Sequence, residues 1–298
     1  MDVLVTGGTG FVGTALCAEL VSQGHDVTAL ARRADDKNVP ESVTPYAGDV
    51  TDYDSVESAF EGKDAVVNLV AMSPLFQPKG GEQEHFRIHL GGTKNVVRAA
   101  EEHGVRRLIQ QSGLDAGPDA PNHHLRAKGE AEAVVRASDL EWVILRPSII
   151  FGDGDELRTF TKLLTTPYLT GLPGGGKIPF QPIWIQDFVP LVEAVLDGDE
   201  HVGQTYEFGG PEVLTLADIT RLIYLAEGKS VTILPVPLVL AKIGAAVAGP
   251  VPIIPFGPDQ VASLAVDNTV EHNDIETFGV DPADLRTFAD YLGLKATP

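Results

Sequence analysis

Short apolar runs alternate with stretches of helical periodicity through the first half of the chain. The runs have the length and continuous apolar character of buried strands, and they lie at 2–6, 25–32, 64–71, 106–113 and 141–147. Apolar residues recur at helical spacing at 12–23, 54–60, 84–103 and 126–138. Apolar strands that alternate with helices are typical of a parallel sheet covered on both faces. We therefore predict a doubly wound α/β fold.

The pattern loosens after about residue 150, where glycine and proline become frequent. A helix is predicted over 186–197 and a late strand over 204–210. An amphipathic helix follows, with Thr215 as its N-cap and Asp218 three residues later.

Residues 231–256 are almost entirely apolar and carry one charge, Lys242. Five prolines interrupt this segment, so any unbroken helix is limited to roughly a dozen residues, too short to span a bilayer. We expect a buried or interface helix here. Contact with a membrane surface or a respiratory complex through 231–256 stays open as an alternative.

Composition narrows the class of protein. Apolar residues make up 43% of the 298 residues, enough for a substantial core. The net charge of −20 argues against nucleic-acid binding through phosphates. The acidic residues are spread along the chain, which suggests a halophile-like surface adapted to high salt, although an ordinary acidic cytosolic protein has the same composition. The single Cys17 and the start directly in a strand pattern favour a cytoplasmic protein without a signal peptide.

The strongest motif is TGGTGFVG at 6–13, which follows a predicted strand and opens a predicted helix. In this context Gly7 permits a tight turn, Gly10 lets the backbone approach a pyrophosphate, and Gly13 lets the helix pack against the strand. Thr9, Phe11 and Val12 complete the loop and the helix N-terminus, which offers N–H groups to phosphate. A glycine-rich turn without a ligand is the simpler alternative.

The motif makes the predicted fold a Rossmann-like doubly wound sheet that binds NAD(P). We expect this domain to consist of 1–152 and about 181–210. A smaller lobe for the substrate or a partner would consist of about 153–180 and 211–298.

The end of the second strand indicates which nucleotide is bound. An NAD site usually has an acidic residue there, but this chain has Ala31 followed by Arg32 and Arg33. Two cations and no acid favour the 2′-phosphate of NADP(H), with NAD less favoured. Solvated turn arginines paired with Asp35 or Asp36 are the alternative.

Several further motifs give the chain a family resemblance. The glycine spacing, GDVTD at 48–52, NLVA at 68–71, HLGGTKNVVRAA at 89–100 and LRPSIIFG at 145–152 together resemble an atypical short-chain dehydrogenase/reductase (SDR), related to NAD-dependent epimerases and dehydratases. More narrowly, the chain is similar to the branch that contains the nucleotide-binding accessory subunit of respiratory complex I. TYEFGGPEVLTLADI also matches that branch, so the resemblance runs from end to end.

The resemblance implies roles for matched positions, and each apolar member has sheet core as its alternative reading. Asp49 and Val50 would border the adenine, and Leu69, Val70 and Ala71 would line the ribose side of the cofactor. Pro147, Ser148, Ile149 and Ile150 would lie by the nicotinamide. Ser112 falls at the active-site serine of the family.

The resemblance also gives meaning to NHHLRAK at 122–128. Enzymes of this superfamily use Tyr-x-x-x-Lys, in which the tyrosine transfers the proton and the lysine binds the nicotinamide ribose. Here Lys128 stands in the place of the lysine and His124 in the place of the tyrosine.

Three hypotheses for His124 stay open. It is an acid/base group weakened by the nearby Lys128 charge, or the protein holds nucleotide without catalysis as a structural or sensing module, or His124 is a bystander in the pocket. His123 and His124 are adjacent and point apart, so no metal site is expected. The sequence identifies neither a substrate nor an oligomeric state.

Overall fold

The computed structural model describes residues 1–33, 39–237, 239, 258–263 and 266–294. The strands are β1 (Asp2–Thr6), β2 (Asp26–Ala31), β3 (Thr44–Ala47), β4 (Ala65–Asn68), β5 (Arg107–Gln111), β6 (Glu141–Pro147), β7 (Ile150–Phe151), β8 (Tyr168–Pro173), β9 (Pro179–Phe180), β10 (Ile183–Trp184), β11 (Thr205–Phe208), β12 (Leu214–Thr215) and β13 (Val231–Val236). The α-helices are α1 (Phe11–Ser22), α2 (Gln83–His85), α3 (Gly92–Glu102), α4 (His123–Arg136), α5 (Glu156–Leu164), α6 (Ile185–Ala194), α7 (Leu216–Ala226), α8 (Pro258–Ser263) and α9 (Phe288–Tyr291).

A seven-stranded sheet confirms the predicted fold class. Its order is β11-β6-β5-β4-β1-β2-β3, and the pairs that join β6, β5, β4, β1, β2 and β3 are all parallel. The strand order reverses beside β1, because β2 lies on one side of it and β4 on the other. Ligands of doubly wound sheets bind at the carboxyl edge of such a switch point.

Burial explains why these segments form central strands. Three consecutive residues of β1, from Val3 to Val5, are fully buried, and β4 is buried along its whole length. A strand covered on both faces has no polar face, so its sequence is apolar without alternation. One face of the sheet packs against α3 through a core that includes Leu4, Val96 and Leu108.

The chain divides into two compact units. Unit 1 consists of 1–72, 80–147 and 185–207, and unit 2 consists of 73–79, 148–184 and 208–298. Unit 2 has small two-stranded sheets, β7 with β10, β9 with β12 and β8 with β13, and its own core around Phe151, Phe160 and Phe288.

These bounds differ from the expected ones at 73–79, 148–152, 181–184 and 208–210, all of which lie in unit 2. The short strand β7 pairs with β10, and this pairing keeps both strands with the second core.

The predicted helix over 54–60 is wrong. Two 3₁₀ turns, Tyr53–Ser55 and Glu57–Phe60, replace it. The Ser55 hydroxyl donates to the carbonyl of Asp52 at 2.8 Å and accepts from the N–H of Asp49 at 3.0 Å. Side-chain bonds of this kind compete with α-helical hydrogen bonds.

The segment 84–103 is helical as predicted, but it is not α-helical throughout. Phe86–Gly91 is π-helical and lies between α2 and α3. The apolar segment 231–256 begins with a strand, because Val231–Val236 forms β13 in parallel pairing with β8. The buried or interface helix of roughly a dozen residues expected in this segment stays a prediction. Residues 238 and 240–257 lie outside the described residues. In the described part of the chain, no helix has the length and apolar character needed to cross a membrane.

Candidate functional site

The glycine loop joins β1 to α1 at the carboxyl edge of the sheet. Gly7 has a φ of +74°, and its N–H donates to the carbonyl of Leu30 at 2.8 Å. The N–H of Gly10 donates to the carbonyl of Gly7 at 2.9 Å, which closes the turn. Gly10 is then the N-cap of α1 and provides no side-chain cap. The first N–H groups of α1 are therefore left for a ligand.

Steric limits explain the other glycines of the loop. A Cβ on Gly13 would lie 2.2 Å from the carbonyl oxygen of Gly7, and a Cβ on Gly8 would lie 2.7 Å from the Cβ of Ala29. A Cβ on Gly10 would meet the oxygen of Gly7 at 3.2 Å, and no other described atom would lie within 4 Å of it. Gly13 therefore serves packing, whereas Gly10 is exposed and keeps the approach to the loop open. Thr9, Phe11 and Val12 are half-buried around it. This bare loop with free N–H groups fits a dinucleotide pyrophosphate.

The chain after β4 lies directly beside this loop. The N–H of Leu69 donates to the carbonyl of Thr6 at 3.1 Å. A Cβ on Gly7 would lie 3.3 Å from the backbone of Leu69 and Val70. Leu69 is buried, Val70 is half-buried and Ala71 is exposed. The segment predicted to line the ribose side of the cofactor is thus a neighbour of the glycine loop.

Arg32 and Arg33 follow β2 and are exposed. Asp49 lies just after β3, the strand that pairs with β2. Partial burial raises the pKa of the Asp49 carboxyl, but hydrogen bonds from Thr51 and the charges of Arg32 and Arg87 give a net lowering. Arg32 and Asp49 therefore act on each other electrostatically at this end of the site.

Two further residues shape this end of the site. Val50 is buried and packs closely against Gly92. A Cβ built on Gly92 would lie only 2.8 Å from the Val50 side chain. Arg87 donates to the hydroxyl of Thr51 at 2.8 Å and is a cation that sequence reasoning missed. Asp35 and Asp36, the alternative partners of the arginines, lie outside the described residues.

Ser112 and Lys128 meet at the end of β5. The Lys128 ammonium donates to the carbonyl of Ser112 at 3.2 Å and weakly to that of Gln111 at 3.4 Å. The Ser112 Oγ is buried and has no hydrogen-bond partner among the described residues. Burial lowers the pKa of Lys128 to about 8, although the carboxylate of Glu132 opposes this shift.

His124 lies one helical turn before Lys128 on α4. Asn122 caps this helix by accepting from the N–H of Leu125 at 2.8 Å, which fixes where the first turn begins. Burial holds the pKa of His124 well below its ordinary value, and the nearby Lys128 charge lowers it further. The His124 Nδ1 is buried without a hydrogen-bond partner in the described structure.

Two histidines that the sequence did not single out pack against His124. The His85 and His89 rings are stacked, with centroids 5.8 Å apart. Each meets the His124 ring edge to face, at 5.4 Å and 4.9 Å respectively. Their spacing of four residues on one helix was the signal that could have found them.

The residues predicted to lie by the nicotinamide belong to two different units. Pro147 ends β6 in unit 1, and Ser148, Ile149 and Ile150 belong to unit 2. The Ser148 hydroxyl donates to the side-chain oxygen of Asn268 at 2.7 Å, and the N–H of Ile149 donates to the same oxygen at 2.9 Å. A place for these residues by the nicotinamide stays a prediction.

A family model described as NAD(P)H-binding matches residues 7–168, which include the glycine loop, Ser112, His124 and Lys128. The chain belongs to this NAD(P)H-binding family. The predicted membership of the atypical SDR group is confirmed by relatives along nearly the whole chain.

Two curated relatives illustrate the range of the family. Subunit 9 of the NADH dehydrogenase [ubiquinone] 1 alpha subcomplex, mitochondrial, from Arabidopsis thaliana is 30% identical, and the match covers 93% of this chain and 73% of the relative. A 3-beta-hydroxysteroid dehydrogenase from Mycolicibacterium neoaurum is 27% identical over 76% of this chain and 70% of its own.

Solved structures support the fold of this NAD(P)H-binding chain. A nucleoside-diphosphate-sugar epimerase from Staphylococcus aureus has a TM-score of 0.76 at 19% identity and covers 98% of this chain and 99% of its own. A UDP-glucose 4-epimerase from Thermus thermophilus, solved with NAD, has a TM-score of 0.67 at 20% identity and covers both chains completely.

Proposed function

We propose that this chain is an NADP(H)-dependent oxidoreductase in which His124 takes the place of the SDR tyrosine. One observation carries the proposal: Lys128 contacts Ser112 at the carboxyl end of β5, two strands from the glycine loop, and His124 lies one turn before Lys128 on α4. Neighbouring strands are about 4.8 Å apart, so this spacing suits a nicotinamide nucleotide whose phosphates lie on the loop.

The bound nucleotide would supply hydride transfer, and the side chains would orient the reactants and accept the proton. Lys128 would donate a hydrogen bond to the nicotinamide ribose. The Ser112 hydroxyl has no partner among the described residues and would donate a hydrogen bond to the substrate oxygen. His124 is neutral at pH 7, because its pKa lies well below the ordinary value. A neutral imidazole accepts a proton, so the proposed direction is oxidation of a substrate hydroxyl.

The preference for NADP(H) rests on Arg32 and Arg33. Both are exposed at the end of β2, where no acidic residue stands. Guanidinium groups bind phosphate through paired hydrogen bonds, and the 2′-phosphate is the group that distinguishes NADP from NAD.

A second candidate function is nucleotide binding without turnover, as a peripheral module of a cytoplasmic or membrane-associated assembly. The low pKa of His124 supports it, since such an imidazole is both a weak base and a poor proton donor at pH 7. The 30% identity to a subunit of mitochondrial NADH dehydrogenase also supports it.

The two candidates are separated by turnover with a panel of alcohols, carbonyls and quinones in high salt. The oxidoreductase proposal expects His124→Ala to lower turnover by about 10²–10⁴-fold and to leave NADPH affinity nearly unchanged. His103→Ala is the matched control, because His103 lies at the C-terminal end of α3 and pairs with Glu57 rather than with the candidate site. Activity that survives His124→Ala contradicts the proton-transfer role, and NADPH binding with no turnover on any substrate favours the second candidate.

A further inference from the structure

The histidine cluster beside α4 is built entirely from the interior of unit 1. His85 is completely buried, His89 is 3% exposed and His124 is 7% exposed. His85 ends α2, His89 lies in the π-helical stretch after it, and His124 lies in the first turn of α4. Two segments distant in sequence, 83–91 and α4, thus bring three imidazoles together. Short π-helical stretches inside helices are frequent at functional sites.

The imidazole nitrogens of the cluster lie close to one another. One ring nitrogen from each of the three histidines lies within 4.8 Å of the other two. The buried His124 Nδ1 has no hydrogen-bond partner in the described structure, and the His89 Nε2 accepts only a long hydrogen bond, 3.4 Å from the N–H of Met72. A buried polar atom without a partner costs free energy unless a ligand satisfies it.

We propose that His85, His89 and His124 bind a divalent transition-metal ion of the Zn²⁺ and Co²⁺ class. Three imidazoles with a fourth position left for water or another ligand are a known donor set for zinc. Zn–N bonds of about 2.0–2.1 Å place tetrahedral ligand nitrogens about 3.3 Å apart, so the rings need to close by roughly 1.5 Å at most. Changes in χ1 and χ2 move imidazole nitrogens by distances of this size.

The charges around the cluster act in opposite directions. The Glu82 carboxylate lies 3.7 Å from the His85 Nε2, on the same helix face, and favours a bound cation. The Lys128 ammonium is buried nearby and opposes one. Metal at this site would occupy the imidazole of His124, so it would inhibit the proposed oxidoreductase. Only this inhibition rests on the proposed function, whereas the site stands without it.

Co²⁺ is the probe that tests the site directly. The EDTA-treated full chain in molar KCl, which suppresses binding of cations by surface carboxylates, is titrated with CoCl₂ while the visible ligand-field absorption is recorded. We expect one equivalent to produce the intense bands of a four-coordinate ion, and excess Zn²⁺ to remove them. The affinity for Co²⁺ should fall more than about tenfold in His85→Ala and in His89→Ala.

Matched variants separate the site from general effects. His103→Ala should bind Co²⁺ like the wild type, because His103 contacts Glu57 and is outside the cluster. Lys128→Met should bind Co²⁺ more tightly and NADPH more weakly, a pair of opposite changes that a loosened fold does not produce. If His85→Ala does not fold, His85→Gln keeps a similar volume and tests the same loss.

The Co²⁺ titration tests the metal site whether or not the protein turns over a substrate. The proposal is overturned if no single equivalent of Co²⁺ gives four-coordinate bands, or if the bands persist in His85→Ala and His89→Ala. Where turnover exists, Zn²⁺ should inhibit the wild type, and inhibition should weaken in His89→Ala. Absence of the Co²⁺ bands from a wild type that turns over a substrate refutes the metal site alone. Co²⁺ binding without turnover on any substrate refutes the oxidoreductase alone.

Discussion

Arg32 is the residue on which the nucleotide preference depends most directly. Its guanidinium is exposed at the end of β2 and acts electrostatically on Asp49. We expect Arg32→Ala to weaken NADPH binding by about 1.5–3 kcal/mol, the range for hydrogen bonds to charged groups, while NADH binding stays nearly constant. The ratio of the affinities for NADPH and NADH should therefore fall by roughly ten- to a hundredfold in fluorescence titrations at matched salt.

Arg98→Ala is the control for this change. It removes the same charge from the surface of α3, where Arg98 pairs with Glu102. Equal affinities of the wild type for NADPH and NADH, or an equal effect of both substitutions, would contradict the assignment of the 2′-phosphate to Arg32.

Lys128 makes the stability of the fold depend on pH. Burial lowers its pKa from 10.5 to about 8, so between these values the unfolded chain binds more protons than the folded one. The free energy of unfolding therefore rises as pH increases from 8 to 10.5, by an amount on the order of 3 kcal/mol, and below pH 8 the full cost of the buried charge is present. Lys128→Met should lose this rise and should melt higher than the wild type at pH 7, although it binds NADPH more weakly. Denaturant titrations across pH 7–10.5 check it, and an unchanged pH slope in Lys128→Met would refute it.

Residues with a motif could be predicted from sequence, and residues defined by packing could not. The turn at Gly7 and the close packing at Gly13 follow from a spacing that has a steric cause. His85 and His89 have no such spacing relative to His124, because helix packing alone brings α4 to the π-helical stretch. The burial that lowers the pKa of His124 is likewise a property of the packed interior.

At the scale of elements, the cap of α4 sets the position of His124 and Lys128. Asn122 is 1% exposed, and its side chain accepts from the N–H of Leu125. We expect Asn122→Ala to lower the free energy of unfolding by about 1 kcal/mol and also to weaken NADPH binding, because the first turn of α4 loosens.

Thr215→Ala provides the comparison for the α4 cap. Thr215 caps α7 in unit 2 through a capping box with Asp218, so its loss should cost a similar free energy of unfolding. NADPH affinity should stay at the wild-type value in this variant. Chemical denaturation and nucleotide titration of both variants measure the two effects, and an equal loss of affinity in both would show that α4 has no special role.

Elements with a clear periodicity were predicted well, and short or one-sided elements were not. The bounds of β1 and β6 match the predicted runs, because central parallel strands are apolar throughout. β3 was missed, since this edge strand has the sequence TPYA and no buried residue. β13 was not predicted, because a continuous apolar run does not distinguish a strand from a helix segment.

At the scale of the whole molecule, sequence order and spatial grouping differ. Unit 1 combines the N-terminal segments with α6, which lies beyond residue 184, and unit 2 takes 73–79 from the first half. The glycine- and proline-rich region after residue 150 has few periodic runs, and unit 2 is built from strands of two residues at several places. Such strands depend on their pairing partners rather than on their own sequence, so the second unit could be predicted only as a lobe.

The net charge of −20 is a property of the whole molecule, and it predicts how stability depends on salt. Repulsion between like charges destabilises the compact state, and screening lengths fall from about 30 Å at 0.01 M to about 8 Å at 0.15 M. The melting temperature should therefore rise steeply over this range. A surface adapted to high salt should continue to gain stability up to molar KCl, whereas an ordinary acidic protein should reach a plateau near 0.15 M.

A charge variant isolates the electrostatic part of this dependence. Glu130 lies on α4 in unit 1 and Glu276 in unit 2, and both are exposed. Each Glu→Lys change alters the net charge by +2, so Glu130→Lys with Glu276→Lys gives −20 + 4 = −16. We expect this double variant to melt higher than the wild type at 0.01 M KCl and to show a smaller rise up to 0.15 M, because less repulsion is left to screen. Calorimetry of both proteins from 0.01 to 2 M KCl measures this, and a wild type whose melting temperature is independent of salt would mean that the acidic residues do not limit its stability.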